Sequence, residues 1–286
     1  MSSEFERATA LQLDARRRRT TAGGWGASPK SIDDGEAKRY AGDIPDLWQQ
    51  GKGAFGGVTV GILTRAIVLA EADRGRTLRS LSAELCAPAL PGPVEVTVAS
   101  MRRGGSMSFV EARLTQGDAL VAHASAALAA PRAIAPAAIR PVPPRRPPWR
   151  DVATIPVEAP LGPVFAKKYE YRSTGPLPFA SGPEPAAEGW IREKDTPTVL
   201  DEAAIAGLLD AWWPAIFAIE SAPRAVATVG YTMQLLVDPR SLDPGEPLFH
   251  RARAVAGSDN FFVEMRELWS GDTVVAMNQQ TFALLS

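Results

Sequence analysis

The chain has 286 residues and a mass of 30.5 kDa, enough for one large domain or two of ordinary size. Its 45% apolar and 22% charged residues are typical of a globular protein and exclude disordered, collagen-like and disulfide-scaffold classes. The formal net charge of −1 gives no bulk attraction to nucleic acid. One cysteine and two histidines argue against a disulfide framework and a histidine-ligated metal site, so we predict no metal. We also predict no cofactor.

No targeting or membrane-spanning segment is evident. The arginine run 16–19 is followed by a polar, glycine-rich stretch and not by the apolar core of a signal peptide. The longest apolar run, 58–72, contains Arg65 and is shorter than the roughly 20 residues that a bilayer requires. The low cysteine count also indicates a reducing compartment. We therefore expect a cytoplasmic protein without membrane insertion.

The clearest change of composition lies between residues 131 and 163, which hold ten prolines. Proline fixes φ and removes a backbone donor, so this stretch cannot form a helix interior or a central strand. We predict a semi-rigid linker, with a proline-rich recognition segment as the alternative. The predicted domains are an N-terminal repeat over 1–130, the linker over 131–163 and a C-terminal repeat over 164–286.

Short motifs recur in both halves in the same order, at a spacing of 153 residues that becomes 154 toward the end. The matched segments are Pro91-Gly92 with Pro244-Gly245, Gly104 with Gly257, Phe109-Val110-Glu111 with Phe262-Val263-Glu264, and Gly117-Asp118 with Gly271-Asp272. Single pairs arise by chance, but a shared order and spacing indicate an internal duplication. One inserted residue accounts for the change of spacing.

Each half shows one helix followed by four strands. In the first half the helix covers 58–72, and strands are predicted over 78–86, 94–101, 108–114 and 120–128. In the second half the helix covers 201–218, and the strands cover 225–237, 248–255, 261–268 and 273–284. A buried helix wrapped by a curled antiparallel sheet is an α+β unit, and two such units make a fused pseudo-dimer.

Asp210 is the first candidate for chemistry. The apolar stripe of its helix runs through Ile205, Leu208 and Trp212, and Asp210 lies off that stripe beside small residues. Pro214 leaves the carbonyl of Asp210 without its helical partner, so the helix should kink or end there. A solvated carboxylate near a helix end is the alternative interpretation.

Two strands of the second half carry further polar candidates. Strict alternation places Thr228 on the face of its strand opposite to Tyr231. Near the C-terminus, Asn278, Gln279 and Gln280 interrupt a strand that otherwise has core residues. Buried amides need hydrogen-bond partners, although an exposed edge strand would also explain them.

Together these motifs resemble the acyl-CoA thioesterase II family, whose members have a double hotdog fold. The resemblance covers most of the chain. The segments that carry it are Phe55-Gly56-Gly57, Arg79-Ser80 leading to Pro88, Pro91-Gly92-Pro93, Arg103-Gly104-Gly105-Ser106, Gln116-Gly117-Asp118, Leu209-Asp210, Ala227-Thr228 and Val274-Val275-Ala276 leading to Gln280. The resemblance implies a tandem hotdog, an acyl-CoA substrate and a homo-oligomer.

In that family the catalytic set is an Asp on the second helix, a Thr or Ser on the next strand and a Gln on the last strand. By position these are Asp210, Thr228 and Gln280, with Gln279 as the alternative if the strand register slips by one. The carboxylate would hold the other two in position while they polarise the attacking water.

Several other residues have weaker claims. Phe55-Gly56-Gly57 would bind substrate if amides at the start of the first helix meet the oxyanion, although a plain turn would also explain them. Trp212-Trp213 would either line an acyl tunnel or pack in the core. We expect Cys86 to be a small buried strand residue and His123 to be structural. The arginine run 16–19 would contact coenzyme A phosphates or form a solvated loop.

The resemblance therefore implies a hydrolase that cleaves acyl-CoA thioesters to free acid and coenzyme A. A catalytically silent acyl-CoA-binding protein is the first alternative. An acyl-CoA hydratase or dehydratase is the second, and it is disfavoured because that chemistry usually relies on a histidine at the helix. The sequence places no histidine near either helix.

Overall fold

A computed structural model describes residues 2–14, 37–131, 139, 141–157 and 162–285, so the arginine run 16–19 lies outside the described residues. The helices are α1 (Glu4–Ala8), α2 (Gly56–Ala70) and α3 (Glu202–Asp210). The strands are β1 (Leu11–Leu13), β2 (Lys38–Ile44), β3 (Gln49–Gln50), β4 (Gly53–Ala54), β5 (Thr77–Leu85), β6 (Gly92–Arg103), β7 (Met107–Gln116), β8 (Ala119–Ala129), β9 (Tyr169–Ser173), β10 (Ala186–Glu193), β11 (Val226–Leu235), β12 (Leu248–Ser258), β13 (Phe261–Ser270) and β14 (Thr273–Leu284).

Twelve strands form one antiparallel sheet in the order β1-β2-β6-β7-β8-β5-β11-β14-β13-β12-β10-β9. The halves of this sheet join where β5 pairs with β11, with Ala83 opposite Tyr231. Helix α2 packs against strands of the first half and α3 against strands of the second. No helix in the described part of the chain is long and apolar enough to cross a membrane.

All eight predicted strands are present, with ends within a few residues of the prediction. The sequence reading missed the six strands in front of the helices, β1–β4 before α2 and β9 and β10 before α3. The longest of them, β2 and β10, pair with β6 and β12. In β2 the buried side chains are Tyr40 and Ile44, with Gly42 between them, and β10 is interrupted by Gly189. A glycine among so few apolar positions hides the period-two pattern of a strand.

Strand pairing shows the internal repeat residue by residue. It agrees with the predicted match of Gly117-Asp118 to Gly271-Asp272 and lies one residue away from the predicted Phe-Val-Glu match. Val110 pairs with Ser100 beside a bulge in β6–β7, and Glu264 pairs with Ala254 beside the corresponding bulge in β12–β13. Val110 is therefore the equivalent of Glu264. The Phe-Val-Glu match had aligned Glu111 with Glu264, and such a slip exchanges the inner and outer faces of a strand.

Helix α3 ends at Asp210 and not at 218, and a 3₁₀ turn follows at Ala215–Ala218. Pro214 has no amide hydrogen to continue the helix, as its place in the sequence indicates. The two long helices pack with the start of α2 against the end of α3. A Cβ on Gly57 would lie 3.1 Å from the Cα of Gly207.

The described linker residues 141–157 lie against the C-terminal half. The guanidinium groups of Arg172 and Arg192 lie over the ring of Trp149, at 4.1 and 5.0 Å from its centroid. The indole nitrogen of Trp190 donates to the carbonyl of Pro147 at 3.0 Å. The linker is thus docked on its own fold, which speaks against its use as a free recognition segment.

Candidate active site

Asp210 is the last residue of α3 and is 9% exposed, so the solvated alternative for this carboxylate is wrong. Gln280 Nε2 donates to Asp210 Oδ1 at 3.0 Å, and the Gly57 amide at the start of α2 also donates to the carboxylate. A Cβ on Gly56 would lie 2.8 Å from Asp210 Oδ2, so only glycine leaves room there. The carboxylate is held at the junction of the two long helices.

The three predicted catalytic residues lie together. Thr228 Oγ1 donates to Gln280 Oε1 at 3.3 Å, and Gln280 Nε2 donates both to Asp210 and to Asn278 Oδ1, each at 3.0 Å. Gln280 is fully buried whereas Gln279 is exposed, so the strand register favours Gln280. Asn278 is an additional member that the sequence reading noted as an amide but did not place in the site.

A β-bulge turns Thr228 into the site. The pairing of β11 with β14 shifts between Thr228 and Gly230, so Thr228 is opposite Phe282 while Tyr231 is opposite Gln280. Residues directly opposite in an antiparallel pair share a face, and Phe282 and Gln280 are both buried. Thr228 and Tyr231 therefore share the inner face, and the prediction from strict alternation is wrong because the extra residue reverses it.

The environment of Asp210 acts on its pKa in two directions. Burial raises the pKa of Asp210, while the charge of Arg266 and the hydrogen bonds from Gln280 and Gly57 oppose this effect. Burial also raises the pKa of the Tyr231 hydroxyl, which donates to the carbonyl of Ala206 at 3.0 Å. Asp210 is thus a buried carboxyl whose charged form is favoured by Arg266, Gln280 and Gly57.

A buried ion pair that the sequence reading missed closes the end of α3. Arg266 Nη1 donates to three carbonyls, Leu209 at 2.8 Å and Asp210 and Trp212 at 3.3 Å each. Arg266 Nε donates to Glu264 Oε1 at 2.8 Å, and the other oxygen of Glu264 accepts from the Ala215 amide at 2.7 Å. The sequence did carry a signal for this pair, because Glu264 and Arg266 alternate with the partly exposed positions of β13 and so lie on its buried face.

A cavity of about 260 Å³ lies beside Asp210. Its lining is apolar apart from a few groups that include Asp210 and Gln50. The aromatic part is Phe165, Tyr171, Phe179, Trp212, Trp213 and Phe217, and the linker contributes Ile155, Pro156, Val157 and Pro163. Trp212-Trp213 therefore line a cavity, as one of their two predicted roles requires, and the linker forms part of its wall.

The predicted substrate-binding residues lie next to the cavity and not in its wall. Phe55 is fully buried, and its ring stacks on that of Phe165 with centroids 4.0 Å apart. The described residues that line the cavity include Phe165 but not Phe55, Gly56 or Gly57. Phe55 thus supports a wall residue, while the two glycines lie at the Asp210 carboxylate.

Two expectations about reactive side chains are corrected. His250 stacks on Trp212 with ring centroids 5.3 Å apart, so a histidine does lie near the end of α3. Burial lowers the pKa of His250 well below its ordinary value, and the described cavity lining does not include it. Cys86 follows β5 and is exposed, not buried. Within the described ranges, no group of three or more acidic, histidine or cysteine side chains could hold a metal ion.

Comparison with solved structures identifies the class as a double hotdog protein, which confirms the predicted tandem fold. A protein of unknown function with a hot dog fold from Alicyclobacillus acidocaldarius is 23% identical over all of this chain and 99% of its own, with a TM-score of 0.84. Acyl-CoA thioesterase II TesB2 from Mycobacterium marinum is 15% identical over 98% of each chain, with a TM-score of 0.70.

Sequence models of the acyl-CoA thioesterase N-terminal and C-terminal domains match residues 44–129 and 136–284. The chain therefore belongs to the acyl-CoA thioesterase family, which confirms the resemblance seen in the motifs. No curated protein matches the chain.

Proposed function

We propose that the protein hydrolyses acyl-CoA thioesters to free acid and coenzyme A through a water activated by Asp210, Thr228 and Gln280. The observation that carries the proposal is the carboxylate of Asp210, hydrogen-bonded to Gln280 and lining an apolar cavity. Family membership supports the reaction class, and the geometry supports the choice of residues.

The chemistry assigns a step to each group. Asp210 accepts a proton from the water while the oxygen of the water forms a bond to the thioester carbonyl carbon. The C–S bond then breaks, and the leaving thiolate takes up the proton from Asp210. Gln280 and Thr228 keep the carboxylate and the water in one geometry, because Thr228 donates to Gln280 and Gln280 donates to Asp210.

The start of α2 is the place we assign to the developing oxyanion. The amide hydrogens in the first turn of a helix have no intrahelical partner and point along the helix axis, out of its N-terminal end. The helix dipole favours negative charge at that end. Gly56 and Gly57 bring this turn against Asp210 without side chains in between. The Gly57 amide donates to the Asp210 carboxylate, so we assign the Gly56 amide to the oxyanion, where a preorganised donor would stabilise the transition state.

The acyl group would occupy the cavity beside Asp210. Its volume of about 260 Å³ exceeds the roughly 150 Å³ of an engineered cavity that binds benzene. We therefore expect medium-length or aromatic acyl groups to bind better than acetyl or palmitoyl groups, the first being too small to fill the cavity and the second too long.

The test is release of free thiol from acyl-CoAs ranging from acetyl to palmitoyl and including aromatic ones, by wild type and Asp210→Asn. We expect turnover with one size class and a loss of about 10²- to 10⁴-fold in the variant, because general-base catalysis is removed. Asp259→Asn, at an exposed site between β12 and β13, is the matched control and should retain full activity.

Two other outcomes would contradict either the assigned site or the proposed reaction. Turnover that survives in Asp210→Asn would contradict the site while leaving the activity. Absence of thiol release by the folded wild type, together with binding of acyl-CoA, would contradict hydrolysis and favour the silent binding protein.

A further inference from the structure

We propose that Arg266 is the positioning residue of this site: its guanidinium fixes the end of α3 and places a buried positive charge beside Asp210 that favours the ionised carboxylate. This inference extends the proposed function, on which its kinetic part rests. It concerns a residue outside the predicted catalytic set.

The first argument is the incomplete end of the helix. The last carbonyls of an α-helix lack amide partners, and a buried carbonyl without a partner is costly. Pro214 removes the amide that would have reached Asp210. Arg266 supplies the missing donors through its contacts with the carbonyls of Leu209, Asp210 and Trp212. The backbone that carries the catalytic side chain is thereby held by one guanidinium.

The second argument is that the guanidinium is buried and is held by a second partner, Glu264. Arg266 is 1% exposed and Glu264 is 0% exposed. Glu264 accepts from Arg266 with one oxygen and from the Ala215 amide with the other, so it bridges β13 and the 3₁₀ turn after α3. Buried charges of this kind require well-defined partners on both sides. The pair therefore fixes Arg266 against the helix end.

The third argument is electrostatic. A carboxylate at the C-terminal end of a helix meets the negative end of the helix dipole, and burial further favours its neutral form. The ionisable groups around Asp210 include Arg266 and Glu264 on β13, Tyr231 on β11, and Tyr169 and Tyr171 on β9. His250 on β12 also lies near the end of α3, and burial lowers its pKa well below the ordinary value, so it stays neutral. Burial raises the pKa of all three tyrosines, so they remain neutral. Arg266 is the cation in this set.

The test separates charge from hydrogen-bond geometry. In Arg266→Gln the charge is lost, so the acid limb of the kcat/KM profile should move to higher pH. At a pH where the wild-type kcat/KM is still rising, the variant should be about tenfold less active than wild type. Arg266→Lys keeps the charge, but its single ammonium is one bond shorter and has no counterpart of Nε, so it cannot hold the α3 carbonyls and Glu264 together; the limb should stay while kcat falls. Arg251→Gln breaks the half-buried Arg251–Glu267 pair (2.8 Å) and should leave both unchanged.

A second variant keeps the test decisive if Arg266→Gln does not fold. Glu264→Gln combined with Arg266→Gln removes both charges and leaves no unpaired buried ion. The limb should move in the same direction but less far, because the Glu264 carboxylate that repels Asp210 is lost as well. An acid limb that stays in place in a folded variant lacking the Arg266 charge would overturn the proposal.

A carbon-13 NMR titration of the Asp210 carboxyl provides a readout without substrate. It should show protonation of Asp210 at higher pH in the variants that lack the charge than in wild type. If the wild type hydrolyses no acyl-CoA but this displacement occurs, the proposed function fails and the role of Arg266 stands. If hydrolysis occurs and the carboxyl titrates alike in all variants, the role of Arg266 fails alone.

Discussion

The two halves of the sheet place different side chains at equivalent positions on the same framework. The β5–β8 and β6–β7 ladders of the first half match the β11–β14 and β12–β13 ladders of the second, and this match defines which residues are equivalent. Leu78, Val110, Ala112, Ala124 and Ala126 in the first half correspond to Thr228, Glu264, Arg266, Asn278 and Gln280 in the second. One half has an apolar inner face at these positions, and the other has a connected polar network.

The polar groups at these positions of the second half are tolerated because they are hydrogen-bonded to one another and to the backbone. A buried polar side chain without a partner destabilises a fold, whereas a fully connected network stabilises a single arrangement. Gln280 bonds Thr228, Asn278 and Asp210, and the Arg266 pair bonds the end of α3. The first half contributes the apolar core and the start of α2, on which the Asp210 carboxylate rests.

The bulge that aims Thr228 belongs to the fold and is not peculiar to the site. Strand β5 has its own register shift between Leu78 and Ser80, and β11 has one between Thr228 and Gly230. Leu78 is buried in the core of the first half. The same backbone feature therefore serves packing in one copy and chemistry in the other, which makes the side chain and not the bulge the decisive difference.

Among changes to the residue found at the equivalent position of the first half, the largest effect should come from converting Gln280 to alanine, as at Ala126. Gln280→Ala removes the amide that donates to Asp210 and the oxygen that accepts from Thr228. We expect kcat to fall about 100-fold, as when a preorganised donor is lost from other active sites. Steady-state kinetics on the best acyl-CoA of the panel measures it. Gln279→Ala, on the exposed face of the same strand, should change kcat little, and similar losses in both would contradict the network.

The sequence could locate the helix end, the amide run and the strand that carries Thr228, because Pro214 and three adjacent amides are local signals. It could not orient Thr228, since a bulge adds one residue without marking the sequence. It also could not join Arg266 to α3 or the linker to the cavity, because those contacts connect distant segments. The motif match aligned Glu111 with Glu264 across two faces of the strand, which only the pairing ladder corrects.

A smaller effect is expected at Thr228, whose equivalent is Leu78. Thr228→Val keeps the branched shape and removes the hydroxyl that donates to Gln280. The loss of one hydrogen bond, about 1.4 kcal/mol, corresponds to roughly tenfold in kcat. KM should hardly change because Thr228 is not among the described cavity-lining residues. Thr228→Ser restores the donor and should recover most of the rate, and a serine variant as slow as the valine variant would refute the role of the hydroxyl.

The difference between the halves also extends to a position remote from the chemistry. The repeat makes His250 the equivalent of Val96. Gly189 is opposite His250 in β10–β12 and Tyr40 is opposite Val96 in β2–β6, so Gly189 corresponds to Tyr40. Four residues further along each strand, Glu193 corresponds to Ile44. Burial raises the pKa of Glu193 to about 8, and the nearby carboxylates of Glu6 and Asp201 add to this effect. Near neutral pH the folded protein therefore keeps Glu193 protonated, whereas the unfolded chain ionises it.

Glu193→Gln mimics the protonated side chain at every pH and should leave turnover unchanged. Because the folded pKa is raised, the stabilisation from Glu193 is full in acid and is lost as the pH rises through about 8. Wild type should lose about 1.4 kcal/mol per pH unit relative to the variant between its ordinary value of 4.5 and about 8. Urea unfolding at several pH values measures this. Glu188→Gln, on the other face of β10, is the control, and its stability should depend on pH as that of wild type does. Parallel stability curves for wild type and Glu193→Gln would contradict the prediction, because they would show that the buried carboxyl ionises as freely in the folded protein as in the unfolded chain.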